Sequence, residues 1–341
     1  MKEREMWVDI AKGLGIVAVV VGHAPFYPNP TLYHYLFWFH MPLFFALSGY
    51  FHKPIASFSE IIKWTKKRTI QLLIPYATYS VLVFIFLSLT RDISLKEFST
   101  QSLKVVYGGQ MLTGAYGVFW FITCLLLTQI LFAFIIFKIK SNIWQVSVIS
   151  LMFIIAHIQT NFTNIQNLPW NIDVVLLAIF YYAFGYYFRK SKFQLTKHKP
   201  LPIIIFFSCI SFIVLDRMNV IDYSLDMKNH IYNNLIFDLL IPVCFILAVF
   251  LISQKINNTF IAILGKMSLT IMYLHLPLYY LAIGVLGWSN FYSFAIIGII
   301  IPITVHKLTR QFEITNLLFH GMQNKKTYNT KPITSEKELP E

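Results

Sequence analysis

The chain has 341 residues, 57% hydrophobic, 17% aromatic and only 13% charged, with a mean hydropathy of +0.61. An ordinary soluble domain carries about 25% charged residues, so a large soluble catalytic domain is excluded, and the aromatic content excludes a disordered chain. The net charge of +13 would point to nucleic acid or an acidic surface in a soluble protein. Here its distribution along the chain says something else.

The apolar runs are continuous rather than alternating, which excludes a membrane β-barrel and predicts helices. A span takes roughly 20 residues, and ten candidates follow in chain order: about 7–25, 32–52, 70–89, 116–137, 144–158, 171–188, 201–215, 233–253, 267–287 and 291–306. The expectation is an all-α polytopic membrane protein. With the N-terminus inside, 23 of the 28 lysines and arginines fall on the inner side, and Arg91, Lys96, Lys104, Arg217 and Lys228 fall outside. That bias predicts N-in, C-in and accounts for the basic pI without nucleic acid. Residues 1–320 read as one membrane domain and 321–341 as a polar, disordered cytoplasmic tail. The first run holds Asp9 and Lys12 and no clear small-residue cleavage site, so it reads as an uncleaved span. Outward loop 90–115 has the pattern of an amphipathic surface helix. Cys124, Cys209 and Cys244 lie inside apolar runs without metal-ligand spacing and read as buried hydrophobes. No internal repeat supports an inverted-repeat transporter.

Ionisable groups inside a span are costly and default to functional candidates. In WVDIAKGLGIVAVVVGHAPF, Asp9 and Lys12 are i and i+3 and can neutralise each other near the inner end. Lys12 and His23 are eleven residues apart, about 20° from coincidence on the helical wheel and about 16 Å along the axis. Lys12, Ile16, Val19 and His23 therefore share one face. Two readings stand: a cation and a titratable imidazole looking into one interior, or a snorkelling lysine with an interfacial histidine. His40 stands two residues before Pro42, where a proline can open carbonyls to a cavity. Ser268, Met272 and His275 recur at i, i+4, i+7, with Pro277 beyond. Asp238, in the outward part of its helix, is either a candidate substrate residue or a capping and pairing group. Trp120 is either a site residue or a member of the aromatic belt. Lys63, Lys66, Lys67 and Arg68 cluster on the inner side, facing anionic lipid or holding a polyphosphate.

These segments together resemble the membrane acyltransferase-3 family, the integral-membrane O-acyltransferases that modify bacterial surface glycans. VDIAKGLGIVAVVVGH resembles its opening helix, an acidic residue, then Arg or Lys, ten residues and His, with Asp9, Lys12 and His23 in those places. FHMPLFFALSGYF, KKRTIQLLIPY, VFWFITCLL and LGKMSLTIMYLHLPL resemble its later segments, in order. Lys12 stands where the family often has Arg, and the expectation is a stand-alone member, without the extracytoplasmic hydrolase-like domain that some members carry. The resemblance implies a cytoplasmic acyl-CoA donor, usually acetyl-CoA, and a glycan or lipid-linked sugar hydroxyl as acceptor near the outer face. It implies His23 as general base, the inner cations as holders of CoA, no resident cofactor and no metal. Expected partners are the bilayer and either polysaccharide assembly machinery or a second copy of the chain. A glycan exporter and a membrane scaffold are the competing readings.

Overall fold

The computed structural model describes residues 5–24, 30–90, 93–162, 167–191, 195–198, 200–287 and 290–322. Among these residues the secondary structure is helical, apart from an isolated antiparallel bridge between Asp226 and Ile231. The helices are α1 (Met6–Gly22), α2 (Pro30–Phe37), α3 (His40–Tyr50), α4 (Phe58–Thr90), α5 (Leu95–Tyr107), α6 (Trp120–Lys138), α7 (Asn142–Phe162), α8 (Val175–Lys190), α9 (Pro200–Arg217), α10 (Leu235–Lys255), α11 (Thr259–Lys266), α12 (Ser268–Leu286), α13 (Phe291–Thr309) and α14 (Glu313–His320). Asparagines open three of them. The Oδ1 atoms of Asn234, Asn258 and Asn290 accept from the N–H groups of Phe237, Ile261 and Ser293 at 2.9–3.1 Å. Each satisfies a donor that the first turn leaves without an intrahelical partner.

Seven of the described helical segments are long and apolar enough to cross a membrane, and α11 with α12 forms an eighth that bends by 76° at its break. The remaining two expected spans take another form. α1 has 17 residues, and the expected helix 32–52 is two pieces, α2 and α3, separated at Trp38 and Phe39. Pro42 stands in the first turn of α3, where its missing N–H costs nothing, so it starts a helix instead of kinking one. The expected helix at 70–89 begins earlier, at Phe58. Loop 90–115 contains α5, which has no buried residue, as a surface helix requires. Of the expected tail, residues 323–341 lie outside the described residues. α14 ends at Gly321, held at φ +63° against the Gln71 carbonyl of α4.

Packing is closest where glycines let backbones touch. A Cβ on Gly265 of α11 would collide with the Asp9 carbonyl of α1, and one on Gly13 with the Ile261 carbonyl of α11. Gly49 and Gly185 make the same approach between α3 and α8. Membrane helices associate through such small-residue contacts because lipid supplies no hydrophobic drive between them. α1 is thereby held centrally, also meeting α3, α10 and α12. By contrast, α9 leaves Ile203, Ile204, Phe206 and Phe207 exposed, a face suited to lipid.

Candidate active site

The face of α1 read from periodicity lines one internal cavity of about 340 Å³. Lys12, Ile16, Val19 and His23 all border it, as do Ser48, Leu72, Tyr33 and Phe37, the last with its ring centroid 5.7 Å from that of His23. Its volume falls in the range of small-ligand pockets. Lys12 holds its ammonium 4.7 Å from the Phe51 ring centroid, a cation–π contact. Asp9, one turn before it, is 2% exposed and has its carbonyl in the α11 contact.

His23 terminates α1, and its Nδ1 lies 2.8 Å from the Val19 carbonyl. A carbonyl only accepts, so Nδ1 carries the proton and Nε2 of the neutral ring keeps its lone pair. His40 and His275 are fixed alike, by Nδ1–H donation to the carbonyls of Leu36 at 2.7 Å and Ile271 at 3.0 Å. Both surround His23, with ring centroids 6.1 and 5.4 Å away. His40 borders the cavity. His275 is fully buried behind His23, and its Nε2 has no hydrogen-bond partner. His23 thus sits beside two imidazoles that share its tautomer.

The other expected residues divide. Trp120, the first residue of α6, and Ser268 and Met272 of α12 border the cavity. Asp238 does not. It is fully buried, meets His157 Nε2 at 3.0 Å, and accepts from the Tyr223 hydroxyl at 2.9 Å and the Asn234 N–H at 3.1 Å. This is the pairing role that the sequence left open. Lys66 and Lys67 are exposed on α4 and outside the cavity wall. Arg68 is half-buried, donates to Gln71 at 3.1 Å and lies over the Trp64 ring. Leu72, one turn on, reaches the cavity.

Sequence reasoning missed one wall of the cavity. Leu225, Asp226, Met227, Lys228 and Asn229 close the cavity from loop 216–232. Lys228 donates to the Leu112 carbonyl, and burial pushes its ammonium below the usual lysine range, with Asp226 opposing the shift. The available signal was a mixed-charge DMKN stretch in a loop on a side with few basic residues.

A family model described as an acyltransferase domain, Acyl_transf_3, matches residues 6–306. The nodulation protein NolL of Mesorhizobium japonicum is 25% identical over 170 residues, covering 47% of this chain and 43% of that protein. The nodulation protein NolL of Sinorhizobium fredii is 25% identical over 250 residues, covering 68% and 61%. The chain therefore spans less than two thirds of the length of either relative. No solved structure matches.

Proposed function

Because the chain belongs to the acyltransferase family whose model spans residues 6–306, we propose that it is a multi-pass membrane O-acyltransferase. In this reading it moves an acetyl group from cytoplasmic acetyl-CoA to a hydroxyl of a cell-surface or lipid-linked glycan. The supporting observation is the cavity along α1, bordered by Lys12 at one end and by His23, with a lone pair on Nε2, at the other. The two residues stand about 16 Å apart along the helix, a distance suited to a thioester on a long flexible arm. Lys12, with Arg68 and the exposed Lys66 and Lys67 behind it, keeps the CoA phosphates on the inner side by charge-assisted hydrogen bonds.

His23 Nε2 takes the proton of the glycan hydroxyl as that oxygen attacks the thioester carbonyl carbon. The new C–O bond forms, the C–S bond breaks, and the departing CoA thiolate recovers the proton from the imidazolium. The alternative order, in which Nε2 attacks first and carries the acyl group briefly, keeps the same balance. Acyl-labelled protein trapped without acceptor distinguishes it. Trp120 and Ser268 shape the acyl passage, and His40 and His275 set the polarity around the base.

Purified protein in lipid nanodiscs tests the proposal. The expected result is CoA release that depends on added glycan and yields an O-acetylated product. Glycan crossing a vesicle membrane with no CoA consumed would overturn it in favour of an exporter.

A further inference from the structure

This wall of the cavity is built from a braced hairpin. Asp226 and Ile231 exchange both backbone hydrogen bonds at 2.9 Å, and His230, in the turn, sits at φ +59°. Three anchors tie the hairpin to different parts of the fold. Trp38 Nε1 donates to the Tyr223 carbonyl at 2.9 Å, the Tyr223 hydroxyl to Asp238 at 2.9 Å, and His230 Nε2 meets Asp173 at 2.8 Å. The side chains of His230 and Asp173 are 2% and 0% exposed. Groups this buried and paired hold a segment in one geometry, as a preorganised binding element requires.

What this bracing presents to the cavity is a carboxylate and an ammonium with separate hydrogen-bond partners. The Asp226 carboxylate is satisfied locally, Oδ1 by the Asn229 N–H at 3.2 Å and Oδ2 by Asn229 Nδ2 at 2.7 Å. Lys228 has three donors, and its hydrogen bond runs to the neutral carbonyl of Leu112. No carboxylate among the described residues forms an ion pair with it. Asp226 acts on it as a counter-charge from beyond ion-pair distance, so the ammonium keeps donors to spare, and an anion entering the cavity would take them in charge-assisted hydrogen bonds.

We infer that hairpin 223–232 is the acceptor-recognition element and that Lys228 takes an anionic group carried by the acceptor. This rests on the O-acyltransferase reading. The shared chemistry is an anionic oxygen near the hydroxyl that is acylated, either a carboxylate on the glycan or the phosphate of a lipid carrier. Asp226 and Asn229 contact neighbouring hydroxyls, and His23 on the facing wall takes the proton.

The first measurement is the O-acyl group lost from the glycans of a deletion strain, located by NMR. The expected acceptor carries or adjoins an acidic group, or is acylated while still linked to a lipid phosphate. Loss of no acyl group would overturn the O-acyltransferase reading, and this inference with it. An acceptor lacking any acidic group would overturn this inference alone. The isolated acceptor then serves as probe for wild type, Lys228→Met and Lys228→Arg. Lys228→Met is expected to raise the acceptor KM by about 10- to 100-fold, the usual effect of losing a charge-assisted hydrogen bond. The acetyl-CoA KM and saturated kcat should stay, and Lys228→Arg should recover much of the loss. With wild-type enzyme, carboxyl-reduced acceptor and acceptor freed of its lipid phosphate identify the source, because only removal of the true anion raises KM. Wild-type KM indifferent to both treatments would overturn the inference even if Lys228→Met failed to fold.

Discussion

Replacing His23 by alanine separates chemistry from architecture, because the structure makes the two costs very different. The ring donates a hydrogen bond back into its own helix, to the Val19 carbonyl at 2.8 Å. Losing such a bond costs about 0.5–1.5 kcal/mol. The ring already borders a cavity, so its removal opens no new void in close-packed core. The glycine contacts that seat α1 against α11 lie at Gly13 and Gly265, more than two turns away and untouched. Membrane abundance and melting temperature should therefore stay near wild type. A general base contributes about 10²–10⁴-fold in rate, which is about 2.7–5.4 kcal/mol of barrier. The assay is acceptor-dependent CoA release by purified protein, with each variant normalised to its folded amount. His23→Gln serves as companion, since an amide can still donate to Val19 but cannot take a proton. Transfer within threefold of wild type in either well-folded variant would refute the assignment of His23 as base.

Lys12→Met and Arg68→Met should each raise the acetyl-CoA KM about 10-fold through lost charge-assisted contact, and wild-type KM should rise with salt. Unchanged donor KM in both variants would return these cations to a purely topological role. Lys66 and Lys67, exposed and screened, should show much smaller effects singly. Asp238→Ala strands His157 in the core and frees Tyr223. Breaking such a buried pair costs about 3–5 kcal/mol, so the expected phenotype is loss of abundance; a fully abundant variant with a raised acceptor KM would show a role in recognition instead. Orientation is tested by single cysteines in a chain cleared of Cys124, Cys209 and Cys244. An impermeant thiol reagent added outside should label Ser94 and Asn229 replacements but not those at Lys63 or Asn258, and the reverse pattern would invert the protein.

The α1 face could be read from spacing alone because a helix converts sequence distance into angle without help from any neighbour. Lys12, Ile16, Val19 and His23 border one cavity as that arithmetic requires. The same logic placed Ser268 and Met272, which share the cavity, beside His275, which does not reach it but packs against the His23 ring. Hydropathy failed where geometry departs from a straight rod. Nothing in LYHYLFWFHMPLFFALSGYF is less apolar at Phe39, and only Pro42 hints that a new helix begins there. The bend between α11 and α12 is equally hidden, and so is the need for glycine at 265, against the Asp9 carbonyl, a requirement that exists only in three dimensions.

The hairpin at 223–232 escaped for a different reason. Its residues are polar and aperiodic, so neither pattern nor hydropathy marks them, and Lys228 was accounted for as one outward charge among five. Orientation signals, however, work from exposed positions at the ends of spans. A lysine held in a cavity wall, with its hydrogen bond spent on a neutral carbonyl, contributes little to that signal and loses hydration for it. Tyr223, His230 and Trp38 are all committed to keeping it there. An acceptor that brings an anion to this ammonium would offset the cost, and under the proposed reading the wall that shares a cavity with His23 is then the place where acceptor choice is made.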